Sequence, residues 1–317
     1  MITAFRLAPL TLLVGLTALL ASCGRPDRFL KGPTQPAQQT LRFNDQSRLR
    51  EGSLRSGAVT ASIQHRQGTN ADGVQVTQAE VTVTVDGTTV GRIVGIEKPG
   101  GFSLSTLLQV VDLDRNNPYP EVLLSSFTGG AHCCNDTRVL TSDREGRRWQ
   151  LVTLGPFDGG EMPATDPLAN GTYLVEGVDN RFLYHFSSYA GSVPPPRFWQ
   201  LQGNRFVDVS HQPEFVPLHR RRLQEMASWF REPVAGAEVN GFLAGYVATA
   251  ALVGEFPAAW QQMLARYDRS SDWGLRSCNA GYDDQGRCRA PELVYPTFPS
   301  ALSAFLVQTG YLSAPKR

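Results

Sequence analysis

Two short stretches of the sequence carry side chains that could do chemistry. From Asp112 to Glu121 the chain reads DLDRNNPYPE, with oxygen-bearing side chains at alternate positions. This spacing lets a loop wind around a hard cation, and a later carboxylate closes the shell. Soon afterwards, from Phe127 to Cys134, the chain reads FTGGAHCC. Histidine beside cysteine suits a metal site, a thiol nucleophile or a structural disulfide.

The first stretch predicts a calcium loop with Asp112, Asp114 and Asn116 as the first ligands and Glu121 as the closing acid. It resembles the D-x-D-x-[DN]-G-x-x-[DE] loop of FG-GAP and VCBS-type repeat proteins, and that resemblance implies calcium binding in a β-propeller blade. Asn117 stands where those loops have glycine, and Glu121 comes one position late. The alternative is an Asx turn whose carboxylates accept hydrogen bonds from local N–H groups.

The second stretch leaves three interpretations open. A metal site would use His132 and Cys134, which face the same way in an extended chain. A thiol enzyme would need a further orienting group, and no spacing supplies one. A disulfide involving Cys133 or Cys134 suits an oxidising compartment. Residues 110–134 also resemble a group of uncharacterised bacterial envelope proteins with a Gly-Gly-Ala-His-Cys-Cys segment, a resemblance that implies no activity.

The first residues predict export. Arg6 precedes an apolar run that is too short to span a bilayer comfortably and that ends in Leu20-Ala21-Ser22-Cys23. This ending resembles the bacterial lipoprotein box, which implies cleavage after Ser22 and a diacylglycerol on the Cys23 sulfur. The expected location is the bacterial cell envelope, on the periplasmic or extracellular face, and not the cytoplasm. The alternative is an ordinary secretory signal with a coincidental cysteine.

The charge and the cysteine content of the chain limit the classes of binding partner and the possible disulfides. Of 30 Lys and Arg residues only Arg6 lies in the leader, which leaves 29 positive against 29 negative charges in the mature chain. A neutral chain has no field to capture nucleic acid, so the expected partners are the membrane, through the lipid, and an envelope protein or glycan. Four cysteines remain after Cys23, and a Cys278–Cys288 disulfide is favoured because turn-forming residues separate the pair. Cys133 and Cys134 would then be bonded to each other or reduced.

The elements that must position these groups form three successive parts after a signal peptide at residues 1–22. Residues 23–57 are polar and predict a flexible tether. Residues 58–212 alternate in short runs, with two-residue turns at Asp86-Gly87, Asp179-Asn180 and Gly203-Asn204 and another turn around Glu145-Gly146. They predict an antiparallel β domain, either sandwich-like or propeller-like.

Residues 213–317 change to a helical period. Apolar side chains recur at i, i+3, i+4 and i+7 from Leu223, from Trp260 and from Phe298. The run GFLAGYVATAALV from Gly241 is apolar all round but only 13 residues long, which predicts a buried helix and not a membrane span. The predicted fold is therefore α+β, with a helical C-terminal subdomain after the β domain.

The resulting hypothesis is a membrane-anchored envelope lipoprotein of the binding or scaffolding type, with calcium as a candidate structural cofactor and no identifiable catalytic set. The alternative is an envelope hydrolase, or a thiol- or metal-dependent protein that uses His132, Cys133 and Cys134. The carboxylates Asp158, Glu161 and Asp166 lie in a Gly/Pro-rich loop, and no spacing marks a glycosidase pair among them.

Overall fold

The computed structural model describes residues 39–44, 50–100, 105–128, 133–158, 160–168, 170–230, 238–278, 280–281, 283–285 and 287–314, with the backbone alone at Cys133. Residues Gln35–Arg317 form one compact unit. The predicted signal peptide, Cys23 and His132 lie outside the described residues. Antiparallel sheets precede C-terminal helices, so the predicted α+β fold is confirmed.

The strands are β1 (Gln39–Phe43), β2 (Glu51–Ser56), β3 (Val59–Thr69), β4 (Gln75–Val85), β5 (Thr88–Pro99), β6 (Thr106–Val111), β7 (Glu121–Phe127), β8 (Cys133–Ser142), β9 (Trp149–Asp158), β10 (Val175–Val178), β11 (Pro196–Gln202), β12 (Arg205–Asp208), β13 (Arg276–Ser277) and β14 (Leu293–Val294). The α-helices are α1 (Val216–Trp229), α2 (Val239–Leu252), α3 (Phe256–Leu264) and α4 (Phe298–Gln308). Short 3-10 helices cover Asn180–Phe182 and Pro213–Phe215.

Local turn chemistry explains the hairpins. Asp86 and Gly87 both have positive φ angles, of 46° and 82°, and they join β4 to β5 in the way that a two-residue turn requires. Gly146 and Gly203 also have positive φ, in the β8–β9 and β11–β12 turns. These three predicted turns are confirmed.

In a central sheet, ordered β1-β6-β7-β8-β9, the inner strands β6 and β7 are buried on both faces. On one face Leu108 and Leu124 pack with Ile63 and Val81 of a second sheet, ordered β2-β3-β4-β5. On the other face Leu123 and its neighbours pack against the third sheet, β10-β11-β12. This double burial explains why every residue of β6 is buried. Of the two predicted β architectures, the structure has the sandwich arrangement.

The helices continue the layering. Phe198 of the third sheet and Leu174, just before β10, pack with Leu218 of α1 and with Phe215 of the 3-10 helix that precedes it. Beyond it, α2 is buried at every position from 240 to 250, which confirms the predicted buried helix. In the described part of the chain, no helix combines the length and the apolar character that a membrane crossing needs.

Two predictions on the sequence need correction. Strands β1 and β2 fall within the stretch 23–57 that was predicted to be tether, because each strand sends few apolar side chains, such as Phe43 and Leu54, into the core while its other residues are polar. The turn at Asp179-Asn180 leads into a 3-10 helix and not into a second strand. The Asp179 side chain caps that helix, and Phe182 enters the helical core.

A buried histidine lies where α1 packs against the third sheet. His219 in α1 is 1% exposed, its ring contacts Phe198, and its Nε2 lies 2.6 Å from the Ser210 carbonyl oxygen. Among the described residues Nδ1 has no hydrogen-bond partner, so Nε2 carries the proton and Nδ1 is a buried acceptor. Burial lowers the pKa of His219 to about 4, because a proton on Nδ1 would add an unpaired charge.

We expect His219 to make the fold sensitive to acid. The pKa of His219 in the folded protein lies below the unfolded value of 6.5, so the unfolded chain binds the proton more tightly. The folded protein therefore keeps its full stability above pH 6.5 and loses part of it as the pH falls toward 4. His219→Gln can still donate to Ser210 but does not titrate. Between pH 7.5 and 4.5 the wild type should lose on the order of 2 kcal/mol more than the variant in urea unfolding. Parallel losses in the two proteins would contradict this assignment.

Candidate functional site

The acidic turn, residues 112–120 between β6 and β7, is organised around one buried carboxylate. Glu121, at the start of β7, is fully buried. Its Oε2 accepts hydrogen bonds from the backbone N–H groups of Leu113 at 2.7 Å and Asp114 at 3.0 Å. Its Oε1 accepts from Asn117 Nδ2 at 2.7 Å and Thr141 Oγ1 at 2.9 Å. Glu121 therefore ties the turn to β8.

Opposing effects act on the ionisation of Glu121. Burial raises the pKa of its carboxyl to about 7, and the four donors partly counter that rise. Burial also raises the pKa of Asp112, although the nearby Arg115 lowers it in part. Because all the neighbours of the Glu121 oxygens are donors, the four hydrogen bonds are fully satisfied when the carboxyl is charged.

Asp114 closes the turn and joins it to a distant hairpin. Its Oδ1 accepts from the backbone N–H of Asn116 at 3.0 Å and from Asn116 Nδ2 at 2.8 Å, the pattern of an Asx turn. Its Oδ2 accepts from the backbone N–H of Gly203 at 2.9 Å, in the β11–β12 turn. The structure thus brings Asp114, Asn116 and Glu121 together through hydrogen bonds of the chain itself.

This arrangement is the one that the Asx-turn interpretation requires. Among the residues that the structure describes, no group of three or more His, Cys, Asp or Glu side chains is placed to hold a metal ion. Of the four predicted ligands, Asp112 is half-buried and receives no hydrogen bond within the described chain. Calcium binding by this loop stays a prediction.

Sequence reasoning missed two residues that fix the turn. Asn117, noted only as a replacement for glycine, spans the turn and donates to Glu121 and Thr141. Thr141 lies on β8, 20 residues after Glu121. No local pattern indicates this contact, because it depends on the pairing of β7 with β8.

Three turns meet around a cleft of about 680 Å³, which we call the loop cleft. Its walls are the acidic turn, the β8–β9 turn and the end of the β11–β12 hairpin. Most of the lining residues have polar side chains, among them two arginines, two aspartates and six amides, namely Arg115, Arg144, Asp114, Asp143, Asn116, Asn117, Gln150, Gln200, Gln202 and Asn204.

The charged side chains of the loop cleft differ in the contacts that they make. Asp114 is committed to Asn116 and Gly203. Asp143 accepts the backbone N–H of Arg147 at 2.7 Å and Nε of Arg148 at 3.2 Å. Within the described chain, neither Arg115 nor Arg144 forms an ion pair, and Arg115 donates to the carbonyl oxygen of Asn170. The two arginines of the cleft therefore form no direct ion pair in the described chain, although Asp112 lies close enough to Arg115 for the two charges to interact.

The two adjacent cysteines, Cys133 and Cys134, lie at the start of β8. Cys134 is disulfide-bonded, its partner lies outside the described side chains, and its backbone N–H donates to Thr128 Oγ1 at 2.8 Å. A sulfur in a disulfide is neither a nucleophile nor a thiolate ligand, so this state favours the structural interpretation. The predicted Cys278–Cys288 disulfide is present.

Two carboxylates weighed as hydrolase candidates are engaged in ion pairs. Glu161 accepts from Arg42 at 3.0 Å and from Ser105 at 3.4 Å. Asp166 pairs with Arg221 at 3.3 Å. These contacts give them roles between neighbouring elements and do not aim the two carboxylates at a common point.

Comparison with known proteins gives two relatives. A probable thylakoid lumen protein, sll0997, of Synechocystis sp. strain PCC 6803 is 46% identical over 272 residues, which cover 86% of this chain and 78% of that protein. An uncharacterised protein, y4bJ, of Sinorhizobium fredii is 33% identical over 215 residues, covering 67% of this chain but 33% of that protein. The family model of the sll0997 C-terminal domain matches residues 219–310. No solved structure matches the chain.

Proposed function

Because the chain belongs to the family of the probable thylakoid lumen protein sll0997, we propose that it is an exported, non-catalytic binding protein held at a membrane of the cell envelope by a lipid on Cys23. A lumen lies across a membrane from the cytoplasm, which agrees with the leader that precedes Cys23. The disulfide between Cys278 and Cys288 suits the same oxidising side of a membrane.

The observation that carries the binding function is the loop cleft. Its walls are fixed to one another by Asp114, which reaches Gly203, and by Asn117, which reaches Thr141. A pocket whose walls are already held in place loses little conformational entropy when a ligand enters. The names of the two relatives describe no catalytic activity.

The rival function is a thiol enzyme that uses the His-Cys-Cys segment. It requires a reduced cysteine with a low pKa, whereas Cys134 is oxidised in the structure. Thiol titration of the folded mature protein distinguishes the two functions, because a fast-reacting thiol at Cys133 or Cys134 would favour the enzyme.

Lipid attachment is tested by expressing the full chain with its own leader in a Gram-negative host. The mature wild type should begin at Cys23, carry the mass of a diacylglycerol and an N-acyl chain, and sediment with membranes. Cys23→Ser should lack that mass and leave the membrane fraction, because each buried CH₂ group of the chains contributes about 0.8 kcal/mol to membrane binding.

The matched control is Ser22→Ala, which keeps a small residue before the cleavage site. It should remain acylated and membrane-bound. An unmodified wild-type protein in the cytosol would overturn the proposed location together with the anchor.

A further inference from the structure

We infer that the loop cleft binds an acidic oligosaccharide, with Arg115 and Arg144 pairing to its carboxylate groups. This inference deepens the proposed binding function and rests on it. Three properties of the cleft carry the inference: its two arginines without a direct ion pair in the described chain, its amide lining and its lack of an exposed leucine as an apolar anchor.

The cations determine the sign of the ligand. Arg115 and Arg144 line one cavity, and neither has a carboxylate partner among the described residues. Asp114 and Asp143 keep their charges but contact other donors, Gly203 for Asp114 and Arg147 and Arg148 for Asp143, so neither contacts Arg115 or Arg144 in the described chain. A guanidinium presents several N–H donors in a plane and binds a carboxylate through two parallel hydrogen bonds. Two such groups in one cleft favour a ligand that carries negative charge.

The six Asn and Gln side chains of the cleft favour a ligand that also carries hydroxyl groups. Each Asn or Gln side chain offers two donors and one carbonyl acceptor, and a sugar hydroxyl can both donate and accept. Gln202 Nε2 donates to Gln200 Oε1 at 2.9 Å, which holds two of these side chains in register along β11. Asn204 lies at the turn of the same hairpin and Gln150 lies on β9, so polar partners come from two elements of the cleft.

The apolar content of the cleft argues against a peptide ligand. Leu113 and Leu201 are its two leucines, and each is only 2% exposed because both belong to the core between the central and third sheets. Binding sites for protein segments centre on buried aromatic or aliphatic anchors that fill pockets. A polyhydroxylated acid needs no such anchor.

The test uses a matched pair of probes, tri-galacturonate and neutral galactotriose, with isothermal titration at 50 mM salt and pH 8. The wild type should bind tri-galacturonate at least tenfold more tightly than galactotriose. Arg115→Gln and Arg144→Gln should each lower affinity for the acidic probe about tenfold, and the double variant about a hundredfold, with melting temperatures close to wild type.

The control is Arg147→Gln. Arg147 is an exposed arginine of the β8–β9 turn, like Arg144, but it does not line the cleft. It should leave affinity unchanged. Equal losses in Arg147→Gln and Arg144→Gln, equal affinity for the two trisaccharides, tighter binding of a triglutamate peptide, or no binding of any probe would each overturn the inference. Galactotriose binding that Asn204→Ala abolishes would overturn the acidic class and keep the binding function. The Cys23 experiment is independent of all these outcomes.

Discussion

Replacing Gly245 by alanine should lower the free energy of unfolding by at least about 3 kcal/mol, or prevent folding. A Cβ atom at this position in α2 would lie 1.7 Å from the carbonyl oxygen of Val193, a backbone atom of the loop that crosses the helix. Helix propensity alone favours alanine over glycine by about 1 kcal/mol, so the sign of the measured change separates the two effects.

Gly241, one turn earlier, should behave in the same way but less severely. Its added Cβ would lie 2.0 Å from Ser187 Oγ, which can rotate away, and 2.5 Å from the Gly191 carbonyl oxygen, which cannot. Gly68→Ala is the matched control, since nothing lies within 4 Å of an added Cβ there. Guanidinium unfolding measures all three variants. A Gly245→Ala protein as stable as the control would show that the loop does not pack on α2 in this way.

The second large effect is expected at Glu121. Glu121→Ala leaves the backbone N–H of Asp114 with no acceptor in the described chain. It also removes the shortest hydrogen bond of three other donors, Leu113 N–H, Asn117 Nδ2 and Thr141 Oγ1, which keep only longer contacts with Val111, Thr141 and Ser142. We expect a loss of at least about 3 kcal/mol, because each buried unsatisfied group costs about 1 to 3 kcal/mol. Measurements at pH 8 keep the wild-type carboxyl charged, since its pKa is about 7.

Loss of Glu121 should also disorder the wall of the loop cleft and abolish its ligand affinity. Glu121→Gln should lie between wild type and alanine, because its amide group turns a donor toward donors. Asp112→Asn is the control and should unfold like the wild type, since Asp112 receives no hydrogen bond in the described chain. A melting temperature that calcium raises in the wild type, but not in Asp112→Ala, would instead establish the cation loop.

Local patterns in the sequence were enough to predict much of the fold. The hairpin at Asp86-Gly87 follows from two adjacent residues that accept positive φ, and α2 follows from its continuous apolar run. Strands β1 and β2 were missed because an edge strand with few inward apolar side chains has the composition of a linker. The 3-10 helix after Asp179 was missed because its apolar residues serve a distant helical core.

The sequence predicted the position of the candidate site but not its hydrogen bonds. The oxygen-rich spacing from Asp112 to Glu121 identified the turn, but not the use of its oxygens. That use depends on partners far along the chain, such as Gly203, which lies 89 residues after Asp114. A single sequence shows which groups could accept hydrogen bonds, but the tertiary contacts determine which donors those groups meet.

The early start of β1 sets how long the connection to the proposed lipid can be. Gln39 pairs with Val110 in the central sheet. If Cys23 carries the proposed lipid, 15 residues, 24–38, separate the lipid from β1, and a fully extended chain of that length spans about 50 Å. Residue 39 would then stay within about 50 Å of the bilayer surface, and the protein would meet its ligands close to the membrane.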